Sequence, residues 1–141
     1  MMFNCQRRIP IALKPLADFS ERVRRELRFP AESVSIRLIS DAAMARLNRT
    51  FRHKSGPTDV LSFPAKGARP KRGAEYLGDI AIAPQTARRN ARRYARSVPA
   101  ELRILILHGM LHLAGFDHET DHGEMLREER RLRRRLGVAG R

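Results

Sequence analysis

A single cysteine, Cys5, among 141 residues excludes an internal disulfide framework and fits a reducing compartment. It stands too far from other metal-binding or nucleophilic residues to be a ligand or nucleophile. No apolar run approaches the length that spans a bilayer. Arg7-Arg8 leads only into Ile9 to Leu13, broken by Pro10 and closed by Lys14, which is too short for an export signal. These absences predict a cytoplasmic protein without a membrane partner. No internal repeat or long linker is present, so one domain over residues 1–141 is expected, long enough to bury a core. Acidic residues are the other shortage: 15 Asp and Glu face 29 Lys and Arg, a formal charge of +14. That excess points to a polyanionic partner such as nucleic acid. The plain alternative is a solvated basic surface in an arginine-rich proteome.

The placement of the arginines favours nucleic acid. With about 100° per residue, Arg88, Arg89, Arg92, Arg93 and Arg96 crowd into an arc of roughly 140° on one helix, opposite Ala87, Ala91, Tyr94 and Ala95. Such a face suits phosphate contacts. The run Arg130-Arg131-Leu132-Arg133-Arg134-Arg135 adds a second cluster.

Periodicity along the chain predicts a short first strand at Ile9–Leu13, a helix over Leu16–Leu27 and a strand over Val34–Ile39. Ser40 or Asp41 caps a helix holding Met44, Leu47 and Asn48. Gly56-Pro57 marks a turn before a strand at Val60–Phe63. Lys66–Gly73 is expected to be a mobile loop. A strand at Leu77–Ile82 precedes helices near 85–96, 99–114 and 121–136, the last with a stripe of Met125, Leu132 and Leu136. Strands gather in the first half and helices in the second. This predicts an α+β domain with a small mixed sheet of about four strands covered by helices.

Four of the five histidines fall between His108 and His122. His108, His112 and His118 stand at i, i+4 and i+10. On a helix the first two share one face, a turn apart. Gly115 can end that helix in a left-handed conformation and turn the chain so that His118 returns to the same point. Three imidazoles with one position left open form the ligand set of a catalytic zinc site. The helix carrying them is apolar nearly all round and so is expected to be buried. Its imidazole nitrogens then need partners, because an unpaired buried polar group costs about 1–3 kcal/mol. Nitrogen ligands favour one Zn²⁺ over magnesium, and spacing alone leaves nickel, copper and iron open. His122 is expected to be an ordinary surface histidine. Asp117, Glu119 and Asp121 are either acceptors for the ligand rings or the acidic start of the next helix. The spacing matches the zinc-protease pattern H-E-x-x-H-x-x-G-x-x-H, except that Gly109 stands where those enzymes carry their glutamate base. A metallopeptidase is therefore disfavoured.

Leu47-Asn48-Arg49-Thr50-Phe51-Arg52, continuing through Pro57-Thr58-Asp59-Val60-Leu61-Ser62-Phe63-Pro64, resembles the first signature of the YbeY family of bacterial endoribonucleases. Leu77-Gly78-Asp79-Ile80 and His108–His118 resemble its second and third. The likeness runs from about Val34 to Leu136. It departs at Ser55, where Asp is frequent, and at Phe116, where Tyr is common. The resemblance implies a zinc-dependent, single-strand-selective RNase acting in ribosomal RNA maturation, notably at the 3′ end of the small-subunit RNA, and in ribosome quality control. It implies His108, His112 and His118 as zinc ligands and Arg52 as the functional arginine. Chemistry casts Arg52 as a clamp on the substrate phosphate or a stabiliser of the transition state; its plain alternative is a surface arginine or a salt-bridge partner of Asp59. Thr58, Asp59 and Asp79 are expected to order the chain locally. The nucleophile stays open between the 2′-hydroxyl of the RNA and water at zinc. A second reading is a ribosome-associated RNA-binding assembly factor whose zinc is structural, which a fourth protein ligand would favour.

Overall fold

Strand periodicity builds a four-stranded sheet in the computed structural model, which describes residues 1–65, 76–117 and 119–138. The expected loop at Lys66–Gly73 and the third histidine, His118, lie outside the described residues. The strands are β1 (Met2–Asn4), β2 (Val34–Leu38), β3 (Val60–Pro64) and β4 (Gly78–Ile82), in spatial order β1-β2-β4-β3. β1, β2 and β4 run parallel and β3 pairs antiparallel with β4, so the sheet is mixed and β3 is an edge. Five helices complete the α+β fold: α1 (Leu13–Glu26), α2 (Asp41–Arg52), α3 (Pro84–Arg93), α4 (Val98–Leu113) and α5 (Glu124–Leu136).

Alternation gives the sheet two faces. Val34, Ile36, Leu38, Ile80 and Ile82 pack with α4, with Leu16, Phe19 and Val23 of α1, and with Met125, Leu132 and Leu136 of α5. Leu61 and Ala81 point the other way, onto Met44 of α2. α4 is the central element, with Leu102, Ile106, Leu107, Met110 and Leu111 almost fully buried. Each such side chain contributes about 1.5–3 kcal/mol of hydrophobic stabilisation, so the histidines at the end of α4 ride on the most firmly held segment.

Four expectations need correction. Ile9–Leu13 is not a strand. Ile9 does enter the core, but the buried Gln6 amide clamps both its N–H (2.9 Å) and its carbonyl (3.0 Å). Pro10 has no N–H for a ladder, and Leu13 already begins α1; the first strand is Met2–Asn4 instead. Secondly, α3 stops at Arg93 because Ala95 turns left-handed at φ 54°. Arg96 therefore leaves the basic face and donates to the buried carboxylate of Glu101 at 2.8 Å. Thirdly, α5 starts at Glu124; Asp121 precedes it and accepts the N–H groups of Gly123 and Met125, both at 2.9 Å. Finally, the basic tail is largely paired. Arg131 bonds Glu128, Arg135 bonds Glu26 and Arg133 turns inward.

Candidate functional site

α4 is set at both ends by its own sequence. Ser97 accepts the Ala100 N–H at 3.2 Å and Pro99 lies in the first turn, which suits a residue that has no N–H to offer. At the other end Gly115 takes φ +101°. Its N–H bonds the His112 carbonyl at 3.0 Å, and the Phe116 N–H bonds Leu111 at 3.1 Å. That pair of bonds is the Schellman termination, and Phe116 packs back on the core. The turn expected at Gly115 is thus formed.

His108 and His112 meet through their Nε2 atoms, 3.1 Å apart, with rings crossed at 77°. The other nitrogen of His108, Nδ1, lies 3.1 Å from Oε1 of Glu129 on α5. A carboxylate there accepts Nδ1–H and fixes that tautomer, which leaves the Nε2 lone pair aimed at His112. Glu129 is 8 % exposed, and Arg133 Nη2 holds its second oxygen at 3.1 Å. Two imidazole nitrogens on one tetrahedral zinc, each about 2.0–2.1 Å from it, stand about 3.3 Å apart. The observed 3.1 Å fits that edge, and an acidic partner behind a ligand ring is what such a centre needs. Among the described residues no three His, Cys, Asp or Glu side chains gather at one point; the pair at α4 is what the structure brings together. His122 is exposed, as expected of a surface histidine.

The pair opens on a cleft of about 630 Å³ between the edge strand β3 and the turn after α4. Arg52, Asp59, Ser62, Asp117 and Glu119 share its lining. Arg52 ends α2 because His53 turns left-handed at φ 55°. The buried Asn48 amide donates to the Gly56 carbonyl at 2.9 Å and ties the following loop to the helix. Arg52 is exposed and forms no ion pair among the described residues. The salt bridge to Asp59 is not made: Asp59 instead accepts from Asn90 of α3 at 3.1 Å and from the Ala83 N–H through its carbonyl at 2.9 Å. Asp59 thus orders the cleft wall. Asp79 has a comparable local partner in the Tyr76 hydroxyl; partial burial first, then that bond, pushes the Tyr76 phenol above its ordinary pKa.

Gly109 explains the absent protease glutamate. A Cβ there would lie 2.9 Å from Ile80 Cγ2 and 3.3 Å from Ser62 Oγ. The position faces β4 and β3, not the cleft, and Ser62 donates to the Gly109 carbonyl at 3.1 Å. A side chain there must displace Ile80, so packing as well as sequence disfavours the peptidase reading.

A family model described as Endoribonuclease YbeY matches residues 4–137. The chain belongs to this family. Among curated relatives, the Endoribonuclease YbeY of Solibacter usitatus is 41% identical over 94% of this chain and 86% of its own length. That of Nautilia profundicola is 42% identical over 76% and 74%, and that of Geobacter metallireducens 38% over 82% and 78%. The solution structure of a Thermotoga maritima protein superposes with a TM-score of 0.65 at 27% identity, covering 96% of this chain and 89% of that one. Arg52, Asp59 and Ser62 of the Leu47–Pro64 stretch and His108 and His112 of α4 line the same cleft.

Sequence reading missed Glu129, Ser62 and Asn90. Glu129 left a signal. The α5 stripe Met125, Leu132, Leu136 has a gap one turn after Met125, and Glu129 fills it. A carboxylate at a core position needs a partner, and His108 and Arg133 are that partner. Ser62 and Asn90 left none, because their partners are distant in sequence.

Proposed function

We propose that this YbeY family member is a zinc-dependent endoribonuclease that cuts single-stranded RNA. It acts in ribosomal RNA maturation, at the 3′ end of the small-subunit RNA, and in ribosome quality control. It works as one domain in the cytoplasm, with the ribosome or ribosomal proteins as partners. The observation that carries this reading is the His108–His112 nitrogen pair, backed by Glu129 and opening on a cleft that also holds Arg52.

His108, His112 and His118 would hold one zinc ion. When bound, it supplies a Lewis acid and acidifies water. The chain's own residues do the rest. Glu129 keeps His108 in the Nδ1–H form and anchors it to α5. Arg52, at the cleft and without a carboxylate partner among the described residues, is available for a planar, two-point contact with a phosphate. There it steadies the substrate and offsets the negative charge that grows on phosphorus during cleavage. Arg88, Arg92 and Arg93 stand exposed on α3, whose Asn90 reaches the cleft wall. They add sequence-independent attraction for the RNA backbone.

The test is cleavage of a single-stranded RNA by zinc-replete protein. His112→Ala should abolish cleavage and zinc retention together. Arg52→Ala should lower kcat/KM by at least about 100-fold with zinc content unchanged by elemental analysis. Cleavage that survives His112→Ala would refute the proposal.

A further inference from the structure

One large apolar side chain beside the cleft has no core role that accounts for it. Phe51 is 58 % exposed, although it continues the apolar stripe of α2 through Met44 and Leu47. Helical spacing places it on the same face as Met44, yet it is not among the side chains packed on the Met44 cluster. The ring touches Phe63 edge-on, with centroids 5.2 Å apart and planes at 70°. Phe63 belongs to β3, where its neighbours Ser62 and Pro64 line the cleft while alternation turns Phe63 itself to the α2 face, around the β3 edge from the cleft. The next residue after Phe51 is Arg52. An aromatic face therefore rests edge-on against a second ring and is left open to solvent, one residue from the proposed phosphate clamp and across the β3 edge from the histidine pair.

We infer that Phe51 is a stacking platform for an unpaired base of the strand lying in the cleft, and hence a residue that makes the cleft select single-stranded RNA. The inference rests on the reading of the cleft as an RNA site. The chemistry is general. Every base offers a π-face, and stacking on an aromatic ring is worth about 5- to 150-fold in affinity per base. A paired base inside a duplex has both faces covered by its neighbours and cannot lie on Phe51. Edge-on contact with Phe63 restricts the ring before binding, so less ordering is lost on contact. Arg52 beside it takes the phosphate while Phe51 takes the base.

The experiment uses the whole protein and short 2′-O-methyl RNA strands, which cannot react through a 2′-hydroxyl. One strand carries all its bases, and a set carries one abasic position each. Affinity is read by anisotropy. Phe51→Ala should weaken binding of the complete strand by about 5- to 150-fold. For one of the abasic strands the same substitution should matter by less than about two-fold, because the partner of the ring is already gone. Phe51→Trp should keep affinity, and its fluorescence should be quenched by the complete strand; the chain has no other tryptophan. Cleavage by Phe51→Ala should lose its preference for single strands over duplex. Phe51→Leu, which keeps apolar contact with Phe63, controls for folding and should bind as weakly as alanine while melting close to the parent. Unchanged affinity in Phe51→Ala, or an equal loss on every abasic strand, overturns the inference and leaves the nuclease reading standing. Failure of the parent protein to bind any of these strands overturns both.

Discussion

Gly109 offers the sharpest test of how the site is built. In an unconstrained helix, replacing glycine by alanine gains about 1 kcal/mol. Here the added Cβ would meet Ile80 Cγ2 at 2.9 Å and Ile80 Cδ1 at 3.1 Å. Ile80 is 1 % exposed and β-branched, so its χ1 is stiff and the surrounding core gives it nowhere to go. Overpacking of this kind costs about 1–3 kcal/mol. Because the nearer contact is below any normal carbon separation, the clash should outweigh the propensity gain, for a net loss of about 1 kcal/mol. In a chain of this size that lowers the melting temperature by about 3–4 °C. Calorimetric melting of Gly109→Ala reads it directly. Because α4 carries both histidines, a displaced helix should also weaken zinc binding. A melting temperature equal to or above that of the parent would refute the packing argument. Gly109→Glu, which rebuilds the zinc-protease pattern, should do worse. It drives an unpartnered carboxylate against Ile80 and Ser62, at a cost above about 3 kcal/mol, and should yield no peptidase activity.

Other consequences follow from named contacts. Glu129→Ala removes the acceptor behind His108 and should weaken zinc affinity by about 10- to 100-fold, measured by competition with a chelating dye; unchanged affinity would separate Glu129 from the centre. Arg52→Lys keeps the charge but loses the planar two-point contact, so RNA cleavage should stay impaired while zinc content does not change. Glu101→Ala breaks the buried pair with Arg96, whose side chains are 6 % and 14 % exposed; loss of about 3–5 kcal/mol by denaturant titration is expected, against little change for paired apolar replacement of both. The Tyr76 phenol is raised by burial and by Asp79, so the neutral form is the one favoured by folding. Its stabilising contribution is complete below pH 10, the ordinary tyrosine value, and is lost as pH climbs through the raised folded value. Tyr76→Phe should flatten that alkaline loss, and an identical pH profile in the variant would argue against the bond.

Local signals carried much of the fold. The strands at Val34, Val60 and Gly78, a cap at Ser40 or Asp41, made by Ser40, and the mixed α+β arrangement were legible because periodicity and capping are properties of neighbouring residues. Ile9–Leu13 misled because an apolar stretch and a strand look alike until the backbone partner is known. That partner turned out to be the Gln6 side chain rather than another strand. The arginines misled in a related way. A helical wheel groups Arg96 with Arg88 and Arg92, but it contains no information about a left-handed residue at Ala95 or a buried Glu101 waiting beyond it. Likewise Arg133 sits in a basic run and yet serves a single carboxylate.

The candidate site divides along the same line. His108, His112 and Gly115 lie on one helix and its turn, so their spacing predicts their geometry without help from the rest of the chain. Arg52 could be placed in the site only by resemblance, since 56 residues separate it from His108 and it reaches the cleft through the stacking of α2 on β3. Glu129 is the instructive case between these. No motif marks it, but its place on the buried stripe of α5 does: a charge at a core position must find a partner, and α5 packs on α4, which ends in the histidines, as well as on α1. Burial pattern and charge together, without any motif, thus point from one helix to the other. A carboxylate in the stripe of a covering helix is a signal worth seeking wherever a histidine pair ends a buried helix.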